Sequence, residues 1–164
     1  MGTTTRHLHF SEEELSGRRR AACQKMREAG IDALLMFRQE SMYYLTGYDT
    51  FGYVHFQCCV MTSDGRLMLL TRSADRLQAR FTSVVEDIRV WVDRDGADPA
   101  QDLRVALEDL GLSGARLGVE NDAYGLTARN GMRLQAALDG FAVLVDASYL
   151  VSGLRLVKSP AEIA

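Results

Sequence analysis

Ala33-Leu34-Leu35-Met36-Phe37 is an unbroken apolar run with Gly30 just before it. A strand wetted on one face alternates polar and apolar residues. A short run with no polar residue marks a strand covered on both faces. The chain on either side should therefore supply two layers of cover. Upstream, Leu15, Ala22, Cys23, Met26 and Ala29 form a helical stripe that Gly30 ends. Ser11 caps that helix, Glu14 completes a capping box, and Phe10 can staple onto Leu15.

Downstream, residues 42–46 suit a brief helix closed by Gly47. Residues 54–62 read as a second strand. Val54, Phe56, Cys58 and Val60 lie on one face of it, and His55, Gln57, Cys59 and Met61 on the other. Asp64-Gly65 is a hairpin signal leading into a strand at 67–70. A helix at 74–81 and a strand at 88–92 follow. Asp98-Pro99 then opens a helix carrying Leu103, Ala106, Leu107 and Leu110 at helical spacing. A strand at 116–120, a helix at 127–138 and a strand at 141–145 complete the pattern. A hairpin followed by alternating strands and helices predicts one α/β domain: a mixed β-sheet of five to six strands flanked by helices.

Residues 1–9 have no periodicity and read as a loose tail, so the domain spans residues 10–157. Beyond it, Lys158-Ser159-Pro160-Ala161-Glu162-Ile163-Ala164 carries a helix-start signature. Ser159 is the cap, Pro160 the first helical residue, and Glu162 closes an S-x-x-E box. The stretch reads as the mouth of a second domain, with a frayed terminal turn as the alternative.

The formal charge of −3, with both signs interspersed, gives no electrostatic reason to expect nucleic acid. Glu12-Glu13-Glu14 and Arg18-Arg19-Arg20 share one helix, acids first, as a solvated face that suits the helix dipole. No apolar run approaches the ~20 residues of a membrane span. The three cysteines, Cys23, Cys58 and Cys59, make an odd count without C-x-x-C spacing. They read as buried reduced thiols in a cytoplasmic protein.

Chemistry of the chain's own is hard to assemble. His7 and His9 lie in the expected tail, and His55 has no partner at ligand-like spacing. Asp32, Asp49, Asp64 and Glu120 are not spaced as a shared metal cluster. Ser41, Ser63 and Ser73 sit in turn or cap contexts, and no glycine pattern fits a nucleotide loop. One segment does stand out: Tyr48-Asp49-Thr50-Phe51-Gly52-Tyr53-Val54-His55 packs aromatics and a histidine into a glycine-bearing loop. Phe51, Tyr53 and His55 could line an apolar pocket while offering hydrogen bonds. Alternatively, Phe51 and Tyr53 plug the domain edge and His55 is a satisfied surface or core histidine.

Three segments in order resemble one known family. Phe10-Ser11-Glu12-Glu13-Glu14-Leu15 with Met26 and Ala29-Gly30-Ile31-Asp32-Ala33-Leu34-Leu35 resembles the opening of the creatinase/Xaa-Pro peptidase (prolidase) N-terminal domain. Tyr44-Leu45-Thr46-Gly47-Tyr48 resembles that family's Y-L-T-G-aromatic segment, and Leu154 to Ile163 resembles the junction into its catalytic domain. The resemblance implies a ribonuclease H-like fold that is not itself catalytic. It implies a homodimer in which this domain lends residues to the neighbouring subunit's active site. Phe51, Tyr53 and His55 are then substrate-binding residues in trans. It also implies a C-terminal metallopeptidase-type domain, outside this chain, holding a divalent metal pair such as Mn, Co or Zn. Xaa-Pro peptides and small amidic compounds are the expected substrates. The creatinase pattern has Phe-Gly followed by Arg, whereas Tyr53 follows Phe51-Gly52 here. Tyrosine cannot form a guanidinium's bidentate clamp on a carboxylate, which argues against creatine. The rival expectation is a free-standing small-molecule-binding or regulatory module of the same fold.

Overall fold

The computed structural model describes residues 6–163. Its elements are α1 (Glu12–Glu28), β1 (Ala33–Met36), α2 (Gln39–Thr46), β2 (Cys58–Thr62), β3 (Leu67–Arg72), α3 (Arg76–Thr82) and β4 (Asp87–Trp91). Then come α4 (Pro99–Asp109), β5 (Arg116–Val119), α5 (Ala128–Leu138), β6 (Val143–Asp146), α6 (Leu150–Arg155) and α7 (Pro160–Ile163). The strands form one six-stranded sheet in the order β4-β3-β2-β1-β5-β6. Only β2 runs against its neighbours; the pairs β1/β5, β5/β6 and β3/β4 are parallel. The C-terminal ends of five strands and the start of β2 therefore meet at one edge of the sheet.

Strand alternation explains the two cores. Ala33 and Leu35, with Cys58, Val60, Met68, Leu70 and Leu117, face a layer built from α4 and α5. Leu34 and Met36, with Cys59, Met61 and Leu69, face α1, α2, α3 and α6. Leu34 and Leu35 have no exposed surface, as expected of a strand covered on both sides. Adjacent Cys58 and Cys59 fall into opposite cores, and all three cysteines are free and buried.

Several boundaries differ from expectation. Positions 1–5 of the expected tail, and Ala164, lie outside the described residues. From Arg6 onward that tail is engaged: the His7 amide donates to Phe81 O at 2.7 Å, and His9 Nδ1 pairs with the Tyr43 hydroxyl at 2.7 Å. Ser11 caps α1 by accepting the Glu14 amide at 3.1 Å. The Glu14 carboxylate does not close a box there. It accepts from Arg18 Nε at 3.1 Å and from the Ser159 hydroxyl at 2.7 Å. Phe10 sits 4.0 Å from the Arg18 guanidinium and edge-on to Tyr43. The strand expected over 54–62 begins only at Cys58, and the one expected from 141 begins at Val143. α6 carries no sequence signature; its N-cap, Tyr149, makes no side-chain cap bond. At the chain's end the Ser159 amide donates to Glu162 Oε2 at 3.1 Å, half of the expected box.

Candidate functional site

Loops at the carboxyl edge of an open α/β sheet are where such folds place ligands. Residues 47–57 form one of these loops, joining α2 to β2. Gly47 ends α2 in the left-handed region at φ 80°, a conformation glycine adopts without steric cost. Tyr48 is then drawn into the core. Thr50 and Gln57, both buried, hydrogen-bond across the base of the loop at 3.2 Å. The Thr50 hydroxyl also accepts the Gly52 amide at 2.9 Å. Gly52 fits by its lack of a side chain: a Cβ there would lie 2.0 Å from Gln57 Nε2 and 2.8 Å from Asp75 Oδ2.

Gly52 O accepts the His55 amide at 2.9 Å, so the chain turns back before it extends. This turn breaks the alternation that would have put Val54 in the core. Val54 is 60% exposed, and of residues 53–57 only Phe56 and Gln57 enter the interior. Phe56 stacks edge-on with Phe37 at 5.4 Å, and its carbonyl accepts the Trp91 indole N–H at 2.9 Å. These contacts pin the inner side of the loop and leave its outer side free.

The three candidate residues share this loop but differ in exposure. Phe51 is 85% and Tyr53 48% exposed, both projecting from the domain. His55 is half-buried and lines a groove of about 460 Å³ with Val54, Trp91, Asp98, Arg129 and Arg133. It is not sealed in the core.

The other candidates have structural work. Ser41 donates to Glu120, and Arg116 N donates to Asp32 Oδ2 at 2.8 Å. Burial pushes the Cys59 thiol up to about 12 and holds Cys58 well above its ordinary value, far from nucleophilic character. Among the described residues, no three His, Cys, Asp or Glu converge to hold a metal ion. No described helix is long and apolar enough to cross a membrane. The Thr50–Gln57 pair was missed in sequence because two polar residues seven apart across a turn carry no periodic signal.

The creatinase/prolidase N-terminal domain family matches residues 18–157 of this sequence. The chain belongs to that family. An uncharacterised hydrolase/peptidase of Sinorhizobium fredii is 34% identical over 97% of this chain, which spans 42% of that relative. The ectoine hydrolase of Halomonas elongata is 29% identical over 95% of the chain and 41% of its own length. The dipeptidase structure from Mycobacterium ulcerans superposes with a TM-score of 0.71 at 27% identity, over 94% of this chain and 40% of that one. The creatinase/prolidase domain here thus spans about two-fifths of the length of these relatives.

Proposed function

We propose that this chain is the non-catalytic N-terminal domain of a dimeric hydrolase acting on Xaa-Pro peptides or a small amidic compound. In this reading Phe51, Tyr53 and His55 contact substrate in the neighbouring subunit, and a divalent metal pair belongs to the part of the protein outside this chain. The protein works in the cytoplasm, where buried reduced thiols are at home. The single observation that carries the reading is the loop at residues 47–57. Its inner side is pinned by Thr50, Gln57 and Phe56, while Phe51 and Tyr53 stand exposed at the carboxyl edge of the sheet. Exposed aromatics on an anchored loop are costly to leave in water and useful where a partner covers them. The relatives' names support hydrolysis, and the chain's share of their length supports a further domain.

The test compares the chain with the full-length protein, each given Gly-Pro, Met-Pro, creatine and ectoine with and without manganese. Turnover should appear only in the full-length protein, which should sediment as a dimer. Metal-dependent turnover by this chain alone, abolished by His55→Ala, would overturn the reading.

A further inference from the structure

The short helix α7 is fastened to the domain by polar side chains. Leu156 and Val157 are each 81% exposed and Ile163 is 76% exposed, so apolar burial does not hold this stretch down. Between positions 156 and 163 only Ser159 and Glu162 are partly withdrawn from solvent. Both reach the same place. The Ser159 hydroxyl donates to Glu14 Oε1 at 2.7 Å, and Glu162 Oε2 lies 3.8 Å from Arg18 Nη2. The Ser159 amide donates to Glu162 Oε2 at 3.1 Å, and the Glu162 amide donates to Ser159 O at 3.0 Å, which ties the two into one turn. Among the described residues, no other hydrogen bond or ion pair joins residues 159–163 to the domain.

Arg18 forms the socket for that turn. Its side chain is only 5% exposed, and its guanidinium lies over the rings of Phe10 at 4.0 Å and Tyr44 at 4.4 Å. Nε donates to Glu14 Oε1 at 3.1 Å and Nη1 to Tyr44 O at 3.2 Å. Nη2 is covered and has no hydrogen-bond partner, so Glu162 is the counter-charge it faces. A covered guanidinium with a donor to spare is costly unless an anion stands opposite. The site also demands arginine rather than lysine. Only a flat cation can lie against two rings while its edge donates in several directions.

We propose that Arg18 is a clasp for the segment after α6, with Glu14 and Glu162 as its two arms. It holds α7 in one pose and so fixes the direction of the backbone beyond residue 158. Because Phe10 precedes α1, Arg18 lies on α1 and Tyr44 on α2, the clasp joins four parts of the chain at one cation. The inference stands apart from the reading of Phe51, Tyr53 and His55.

Trypsin tests it, because the exposed Lys158 places a cleavable bond where the clasped turn begins. Cleavage of a segment that opens and closes rapidly tracks the population of its open form. Dividing each rate by that of a peptide of residues 156–164 with the same sequence removes any intrinsic effect on the bond. Glu162→Gln should raise the corrected rate about fivefold, the upper end for an ion pair partly in water. Its melting temperature should stay native, since Glu162 lies outside both cores. Arg18→Met, which keeps an unbranched side chain between the rings, should raise the rate at least as much. In that background Glu162→Gln should add nothing, because residues that act through one contact are coupled. A native rate in Glu162→Gln overturns the clasp, and so does a fivefold effect that persists in Arg18→Met. Should Arg18→Met fail to fold, Glu162→Gln alone decides.

Discussion

Glu120, at the end of β5, accepts the Ser41 hydroxyl of α2 at 2.5 Å with no exposed surface of its own. Its other oxygen accepts the Phe37 and Arg38 amides at 3.1 and 3.0 Å. One carboxylate thus satisfies the donors left free where β1 passes into α2. Phe37, at that junction, packs edge-on against Phe56 at the foot of the loop bearing Phe51 and Tyr53.

Burial raises the pKa of Glu120 above the usual carboxylate range, against opposing hydrogen bonds from Ser41 and the Arg38 and Phe37 amides. The sign follows from linkage. A raised folded-state pKa means the native protein binds the proton more tightly than the unfolded chain. The favourable contribution is therefore full below the unfolded value and is lost as pH rises through the folded one. Glu120→Gln removes this dependence. Urea denaturation from pH 4 to pH 7 should show the native chain losing stability relative to the Gln variant as pH rises. A parallel pair of curves would defeat the assignment. Glu120→Ala should cost about 3 kcal/mol or more at neutral pH, since it strips several donors of a charged acceptor.

The Ser11 hydroxyl is the side-chain acceptor for the Glu14 amide, at 3.1 Å. Ser11→Ala should lower stability by about 1 kcal/mol in urea denaturation. Ser11→Asp should restore most of it, because an N-cap carboxylate accepts the same amide and favours the helix dipole. No loss with alanine would mean that this end of α1 is held by Arg18 and Ser159 instead.

Thiol reactivity reports the cores directly. Burial raises Cys23, Cys58 and Cys59, with Cys59 at about 12. At pH 8 the native chain should therefore react very slowly with a disulfide reagent, and all three thiols should titrate in denaturant. A thiol reacting at the rate of free cysteine in the native chain would show that one core opens readily.

What was legible depended on how local the cause was. Ala33 to Phe37 could be read because covering both faces leaves a mark in the sequence itself. The caps at Ser11, Gly47 and Asp98 could be read for the same reason, since each is a local device. α6 could not, being six residues long with Gly153 inside it and no side-chain cap. The aromatic loop was legible by composition, but the direction of Val54 was not, because a Gly52–His55 turn replaces the strand there. Glu120 was illegible for a third reason. Its role comes from residues about eighty positions away, brought near by the parallel pairing of β1 with β5.

The decisive measurement concerns Tyr53 and His55 in the full-length protein. Tyr53 is 48% exposed and His55 half-buried beside a groove, so neither holds much of the core together. Tyr53→Phe removes only a hydroxyl, and His55→Ala removes a ring that lines an open groove rather than a packed interior. Both variants should therefore melt near the native temperature. If each side chain supplies one hydrogen bond to a charged substrate group, its loss is worth roughly 1.5–3 kcal/mol. That corresponds to about 10–150-fold in kcat/KM. A change in KM alone would assign the contact to ground-state binding, and an equal fall in kcat and kcat/KM would assign it to the transition state. Phe51→Ala should raise KM through lost apolar cover while leaving the melting temperature unchanged, since the ring is 85% exposed in the isolated domain. Native kinetics in all three variants, together with lowered melting temperatures, would make the loop a structural plug and withdraw it from the site.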